Sequence, residues 1–198
     1  MKDRFVDFDE LSAVMREGYD YQIACADRES EISIVAPHGG KIELGTSVIA
    51  KMIASDDFNF YAFEGIRKSE NFRLLHITSH NFNEPTGLEI AEKAKIVIGI
   101  HGRSDDKNNE SIYLSGLDLN LIRDIKDELS TAGFLPQDTD HPFPATNPFN
   151  ICNRGISGRG AQLEFSNSMR KRLIDKKSTT ELIRLSGAVR NALFKQLI

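Results

Sequence analysis

The chain is short of cysteine. Its 198 residues contain two, Cys25 and Cys152, far apart and in no metal-binding or redox spacing. That excludes a disulfide framework and a thiolate metal site, and fits two free thiols in a reducing compartment. No apolar run approaches the roughly 18 to 20 residues that cross a bilayer, so no membrane association is expected. A secretory signal is missing too, because "MKDRFVDFDELSAV" carries acidic residues where a signal peptide has its apolar segment. The expected location is the cytoplasm, with lysis as a route of release. Excess positive charge is also lacking: the net charge is −4, which argues against a general nucleic-acid binder. The basic residues have no interleaved aromatics, which argues the same way. Proline is scarce and uneven, with four of the six in residues 134–150, "FLPQDTDHPFPATNPFN". Such a segment excludes regular structure and predicts a long ordered loop across a surface.

The 40% hydrophobic content suffices for one well-buried core, so residues 1–198 are expected to form a single domain and a monomer. "YQIACA" and "EISIVA" read as short strands joined by the polar turn "DRES". "LGTSVIAKMIA" has Val48, Ile49, Met52 and Ile53 at helical spacing. "FNFYAFEG" and "FRLLHIT" read as strands, and "EPTGLEIAEKA" as a helix with proline in its first turn. "KIVIGI" is a branched-aliphatic run typical of a central strand covered on both faces. "LDLNLIRDIKDELSTAG" places Leu119, Ile122, Ile125 and Leu129 on one helical side and stops at Gly133. "GAQLEFS" is one more strand, and "TTELIRLSGAVRNALFKQLI" a long helix beginning at a threonine cap. The alternation predicts an α/β fold with a mixed, largely parallel sheet flanked by helices. Sites in such folds form at strand ends.

Three strands deliver titratable groups there. "EISIVAPH" reaches His38, "KIVIGIH" reaches His101, and Glu164 lies near the end of "GAQLEFS". His38 and Glu43 are five residues apart, a spacing that on a straight helix diverges by roughly 140° and on a strand points to opposite faces. Gly39 and Gly40 allow the chain to reverse, so that both could grip one ion, with Glu43 favoured as a carboxylate beside a helix start. A His, Glu, His set leaves a fourth position for water, the composition of a hydrolytic zinc centre. Glu164 is then the candidate general base. Each residue also has a plain alternative. The histidines could be hydrogen-bonded structural groups, Glu43 a first-turn helix residue, and Glu164 one half of an arginine pair. His76 and His80, read on a strand, stand roughly 13 Å apart and cannot share one ion; His76 is expected to border the pocket, while His80 and His141 read as loop residues.

"APHGGKIE", "LHITS", "IGIHG", "NICNRG" and "GAQLEFS" occur in the order and context of the zinc-dependent poly-γ-glutamate hydrolases, a family of phages and prophage-bearing bacteria, and the chain resembles that family over nearly its whole length. The resemblance implies a fold similar to zinc carboxypeptidases and amidohydrolases. It also implies Zn2+ as cofactor, His38, Glu43 and His101 as zinc ligands, and Glu164 as the catalytic carboxylate. "GRGAQLEFS" departs from the family pattern by an arginine and an aromatic, which bears on substrate fit. The implied substrate is a polymer of glutamates joined through side-chain carboxyls, a polyanion that guanidinium groups would bind. Arg154, Arg159 and Asn153 in a glycine-rich stretch, with Arg103 after His101, are the expected substrate-binding residues. Arg170, Lys171 and Arg172 read equally well as a solvated helix start. Two rival functions stay open: a zinc amidase acting on peptidoglycan or N-acyl amino acids, and a non-catalytic module binding acidic polymers.

Overall fold

The computed structural model describes residues 3–197. One seven-stranded mixed sheet runs in the order β1-β3-β2-β4-β7-β5-β6. Its strands are β1 (Tyr21–Ala26), β2 (Ile32–Gly40), β3 (Asn59–Gly65), β4 (Ile96–Arg103), β5 (Ser111–Gly116), β6 (Leu135–Gln137) and β7 (Ala161–Ser166). The central four, β3, β2, β4 and β7, are parallel to their neighbours, whereas β1 and β5 attach antiparallel to β3 and β7. β1 and β2, consecutive in the chain, do not pair with each other; β3 inserts between them.

Alternation along the strands sends side chains to two cores, which is why the central strands look apolar throughout. Ile32, Ile34, Ile96, Ile98 and Leu163 face one core with α2 (Thr46–Ala54), α5 (Leu119–Thr131) and α7 (Thr179–Lys195). Val35, Tyr61, Phe63 and Val97 face the other, with α1 (Phe8–Ser12), α3 (Asn71–Leu75) and α4 (Pro85–Lys93). α6 (Asn167–Leu173) follows β7 directly. Among the described residues no helix is long and apolar enough to cross a membrane.

Several elements differ from the sequence expectation. "FRLLHIT" is not a strand: residues 71–75 form the helix α3, burying Leu74 and Leu75, and His76 ends it. The proline-rich segment is not wholly irregular, because Leu135–Gln137 pairs as a short edge strand with β5. Proline is tolerated there because an edge strand leaves its other side unpaired. α2 buries Ile49 and Ile53 with Thr46 and Ala50, while Val48 is half exposed. In α5, Leu121 takes the inward place expected for Leu119, which is exposed. α7 starts after Ser178 without a side-chain cap. β5 and α1 carry no sequence prediction at all; each is a short element held by its neighbours. Cys25 is exposed and Cys152 buried, both unpaired.

Candidate metal centre

His38 reaches its place through a bulge. Ala36 stands opposite Ala62 of β3, but three residues later Gly39 stands opposite Glu64, so β2 carries one extra residue. Strict alternation would send His38 to the side of Ile34 and Ala36. The extra residue re-aims it to the opposite face, a common use of bulges near active sites. Both glycines are required: a Cβ on Gly39 would lie 2.3 Å from Ser47 Oγ, and Gly40 has φ +61° with Gly65 O 2.6 Å from any Cβ. The chain then turns back, with Glu43 N donating to His38 O at 3.0 Å. Glu43 lies in this turn, three residues before α2, and Thr46 Oγ1 donates to the carbonyls of both His38 and Glu43.

β4 and β7 supply the other groups. His101 stands opposite Glu164 in the parallel register, and Tyr113 of β5 stands opposite Glu164 on its other side. His38, Glu43, His101 and Glu164 are all buried.

The donor atoms converge. His38 Nδ1 lies 3.3 Å from Glu43 Oε1 and 3.2 Å from His101 Nδ1. Tetrahedral zinc with bonds of about 2.0–2.1 Å holds neighbouring donors roughly 3.3 Å apart, so both spacings suit a shared ion. His38 Nε2 contacts Ile77 O at 2.7 Å; a carbonyl only accepts, so this nitrogen carries the hydrogen and leaves Nδ1 as the lone pair of the neutral ring. Glu43 Oε2 accepts from Gly102 N at 2.6 Å, leaving Oε1 toward His38.

His76 comes closer than expected. Its Nε2 is 4.0 Å from Glu43 Oε1, and donor atoms of His38, Glu43 and His76 all lie within 4.8 Å of one another. Its Nδ1 is tied to Asp3 Oδ1 at 2.7 Å, and Asp3 also accepts from Thr78 N and Oγ1. Ring orientation separates the two histidines. His76 stacks on His38 with centroids 4.1 Å apart and 29° between planes, whereas His101 meets His38 at 66°. An ion lies in the plane of each ring that binds it, so stacked rings converge poorly on one ion and crossed rings converge well. Two candidate sets therefore meet at His38: ring orientation brings in His101, while mutual donor distances gather His76 with Glu43.

The electrostatics agree with a cation site. Burial, with His38 alongside, depresses His101 to about 3 and His76 to about 4, so both rings are neutral donors at neutral pH. Burial alone would push His38 down, but the Glu43 carboxylate more than offsets it and leaves the ring above its ordinary value. Burial would likewise favour neutral Glu43, yet His38 holds its carboxyl below the usual range. Glu164 differs: burial first, and the charge of Glu43 second, push it well above the carboxylate range.

These groups form the floor of a cleft of about 790 Å³. His80, Pro142, Phe143 and Asn147 contribute to its walls, so the proline-rich segment does lie across a surface, the one over the site. His141 fixes that segment by stacking on Tyr113 with centroids 4.8 Å apart and by contacting Leu114 O at 3.0 Å. Of the expected substrate-binding residues, Arg103 and His76 line the cleft. Arg103 is buried, its guanidinium 3.9 Å over the Tyr113 ring; its Nη atoms bind Asp106 and the carbonyls of Ser104, Asn108 and Ser111, and Nε has no partner. Arg154 and Arg159 are elsewhere. Arg154 pairs with Glu92 of α4, and Arg159 points to solvent. Asn153 is buried under the loop, donating to Ala145 O and Asn147 O and accepting from Gly160 N. Arg170 is also buried, held by the carbonyls of Leu44 and Phe165.

Residues 5–198 match the model of the family described as poly-gamma-glutamate hydrolase. The chain belongs to this family. Hydrolysis of poly-γ-glutamate is the activity that membership carries. YndL of Bacillus subtilis (strain 168) is 33% identical over 174 residues, 87% of this chain and 67% of its own length. The chain thus spans about two thirds of that relative. A bacteriophage poly-gamma-glutamate hydrolase structure superposes with a TM-score of 0.90 at 28% identity, covering 99% of both chains. The zinc-free form of YndL superposes with a TM-score of 0.89 at 28% identity over the full length of both.

Proposed function

We propose that this protein cleaves the γ-glutamyl amide bonds of poly-γ-glutamate, with zinc held by His38, Glu43 and His101 and with Glu164 as general base. The observation that carries the reading is the crowding of lone-pair donors around His38 Nδ1, at 3.2 and 3.3 Å, beside a buried carboxylate of raised pKa on the next strand. Buried acceptors so close together repel unless a cation or proton lies among them. The relative whose zinc-free form was solved supports zinc as that cation.

Bound zinc would acidify a water molecule and polarise the scissile carbonyl. Glu164 would take a proton from the attacking water and return it to the departing nitrogen, a role helped by a carboxyl that burial and Glu43 have made more basic than usual. His76, oriented by Asp3, would form one wall beside the reacting bond. Arg103 would give the opposite wall its positive charge at a distance, since its guanidinium is buried and its Nη atoms are held by Asp106 and backbone carbonyls.

One observation favours a second reading. Among the described residues Arg103 is the single arginine lining the cleft, fewer than a substrate with a carboxylate on every unit suggests. A zinc amidase acting on a short γ-glutamyl amide would need no more. The deciding experiment incubates the purified, chelator-treated protein with poly-γ-glutamate and with γ-glutamyl dipeptide, before and after adding zinc. Zinc-dependent shortening of the polymer, with slower dipeptide cleavage, is the expected result. Dipeptide cleavage alone would leave the chemistry and change the substrate; no cleavage of either would sink the proposal.

A further inference from the structure

Gln162 precedes Glu164 by two residues on β7, so both side chains project to the same face. Gln162 Nε2 donates to Glu164 Oε1 at 2.8 Å, and Gln162 Oε1 accepts from Asn150 Nδ2 at 3.1 Å. Asn150 Oδ1 accepts from the backbone N–H of Cys152 at 3.1 Å. All three side chains are buried and line the cleft. An amide group can be turned end for end with little change of shape, so its direction has to come from its partners. Here the first partner is a backbone N–H, which only donates. It fixes Asn150 with oxygen toward Cys152 and nitrogen toward Gln162. That in turn fixes Gln162 with oxygen toward Asn150 and nitrogen toward Glu164.

We propose that this one-way chain, Cys152 N–H to Asn150 to Gln162 to Glu164, makes Gln162 and Asn150 positioning residues that commit Glu164 Oε1 to accepting and reserve Oε2 for the catalytic proton. The inference rests on Glu164 being the general base. The attacking water gives its proton to Oε2 as its oxygen bonds to the carbonyl carbon. The same Oε2 then gives that proton to the nitrogen as the C–N bond breaks, and Oε1 keeps its bond to Gln162 throughout. Because Asn150 closes the proline-rich segment, that segment and the base are joined through two hydrogen bonds.

Asn150→Asp tests the direction of the chain. The replacement has nearly the same shape and still accepts from Cys152 N–H, but its other oxygen now faces Gln162. Gln162 turns over to donate to it, and an amide oxygen then confronts Glu164 Oε1. Asn150→Ala, in contrast, removes a partner of Gln162 without reversing it. In the zinc-loaded enzyme we expect kcat for Asn150→Asp to fall about tenfold or more below that for Asn150→Ala, the size of a lost charge-assisted hydrogen bond. KM and bound zinc should be unchanged. A residue with only a packing or turn role would give the opposite order, since the isosteric change is the milder one, and that order overturns the proposal. If Asn150→Asp does not fold, Gln162→Met, which keeps the volume and removes the donor, takes its place. A drop of about tenfold in kcat at constant KM and zinc content is then expected, and an unchanged kcat overturns the proposal. Full turnover in Glu164→Gln would instead overturn the assignment of the base, a separate failure.

Discussion

His101 and Glu164 stand directly opposite each other on β4 and β7, two neighbouring parallel strands in the middle of the sheet. Under the proposed roles of metal ligand and general base, two groups placed this way keep their spacing through backbone hydrogen bonds rather than through loop conformation. Rigid placement of this kind is what general-base chemistry requires. His38 and Glu43 approach from β2 and its turn, so the centre lies across three adjacent strands.

The ring-plane argument separates His101 from His76 experimentally. His101→Ala should lose the zinc and, with it, at least 99% of hydrolysis. His76→Ala should keep about one zinc per chain while losing a smaller part of the activity. Metal analysis of the two purified variants beside the wild type decides the matter, and zinc lost only from His76→Ala would reverse the assignment.

Glu164→Gln should retain zinc and lower kcat by about 10²- to 10⁴-fold, the range for removing a general base. Its effect on stability should run the other way. The folded pKa of Glu164 lies well above the ordinary value of 4.5, so folding holds a proton that the unfolded chain releases as pH rises. The wild-type, metal-free protein therefore loses stability as pH climbs from about 4.5 toward the raised value. Glu164→Gln escapes that loss. Melting curves of the two metal-free proteins should coincide near pH 4 and diverge by pH 8, with the variant the more stable. Equal curves at pH 8 would show that Glu164 is not so buried.

Zinc binding should be visible as stability. Metal at about a hundredfold over its dissociation constant adds about 2.7 kcal/mol, or roughly 5–10 °C in melting temperature for a chain of this size. The shift should appear on adding zinc to chelated wild type and vanish in His38→Ala. A shift that survives in His38→Ala would place the metal elsewhere.

Gly160→Ala should be among the most damaging single changes outside the metal ligands. A Cβ there would lie 1.9 Å from Cys152 O and 2.4 Å from Val97 O, both backbone atoms with little room to yield. A loss of about 3 kcal/mol is expected, measured by denaturant unfolding, since overpacking against fixed backbone lies at the upper end of such effects.

Much of the centre was legible in the sequence because its parts sit at the ends of apolar strands, where a titratable residue stands out. The pairing of Gln162 with Glu164 was not read from the sequence, although both lie two apart on β7. What was not legible depended on contacts between distant segments. His76 was read on a strand because five-residue α3 is too short to show a helical period, and its true neighbours, Asp3 and His38, are far along the chain. Arg154 looked like a substrate ligand because its glycine-rich surroundings suggested a binding loop, while its partner Glu92 lies 62 residues earlier on α4. The bulge that turns His38 to the catalytic face exists only in the pairing of β2 with β3.

His38 and His101 are 63 residues apart, and Glu164 follows after another 63. β7, which carries Glu164, is the last strand of the sheet to be made, and it must slot between β4 and β5, both made earlier. A nascent chain therefore holds His38, Glu43 and His101 but lacks Glu164 until that strand inserts. Synthesis would be silent, and activity would switch on in a single step with the closing of the sheet. An early stop anywhere before Glu164 would yield a chain without its proposed base, not a weak enzyme.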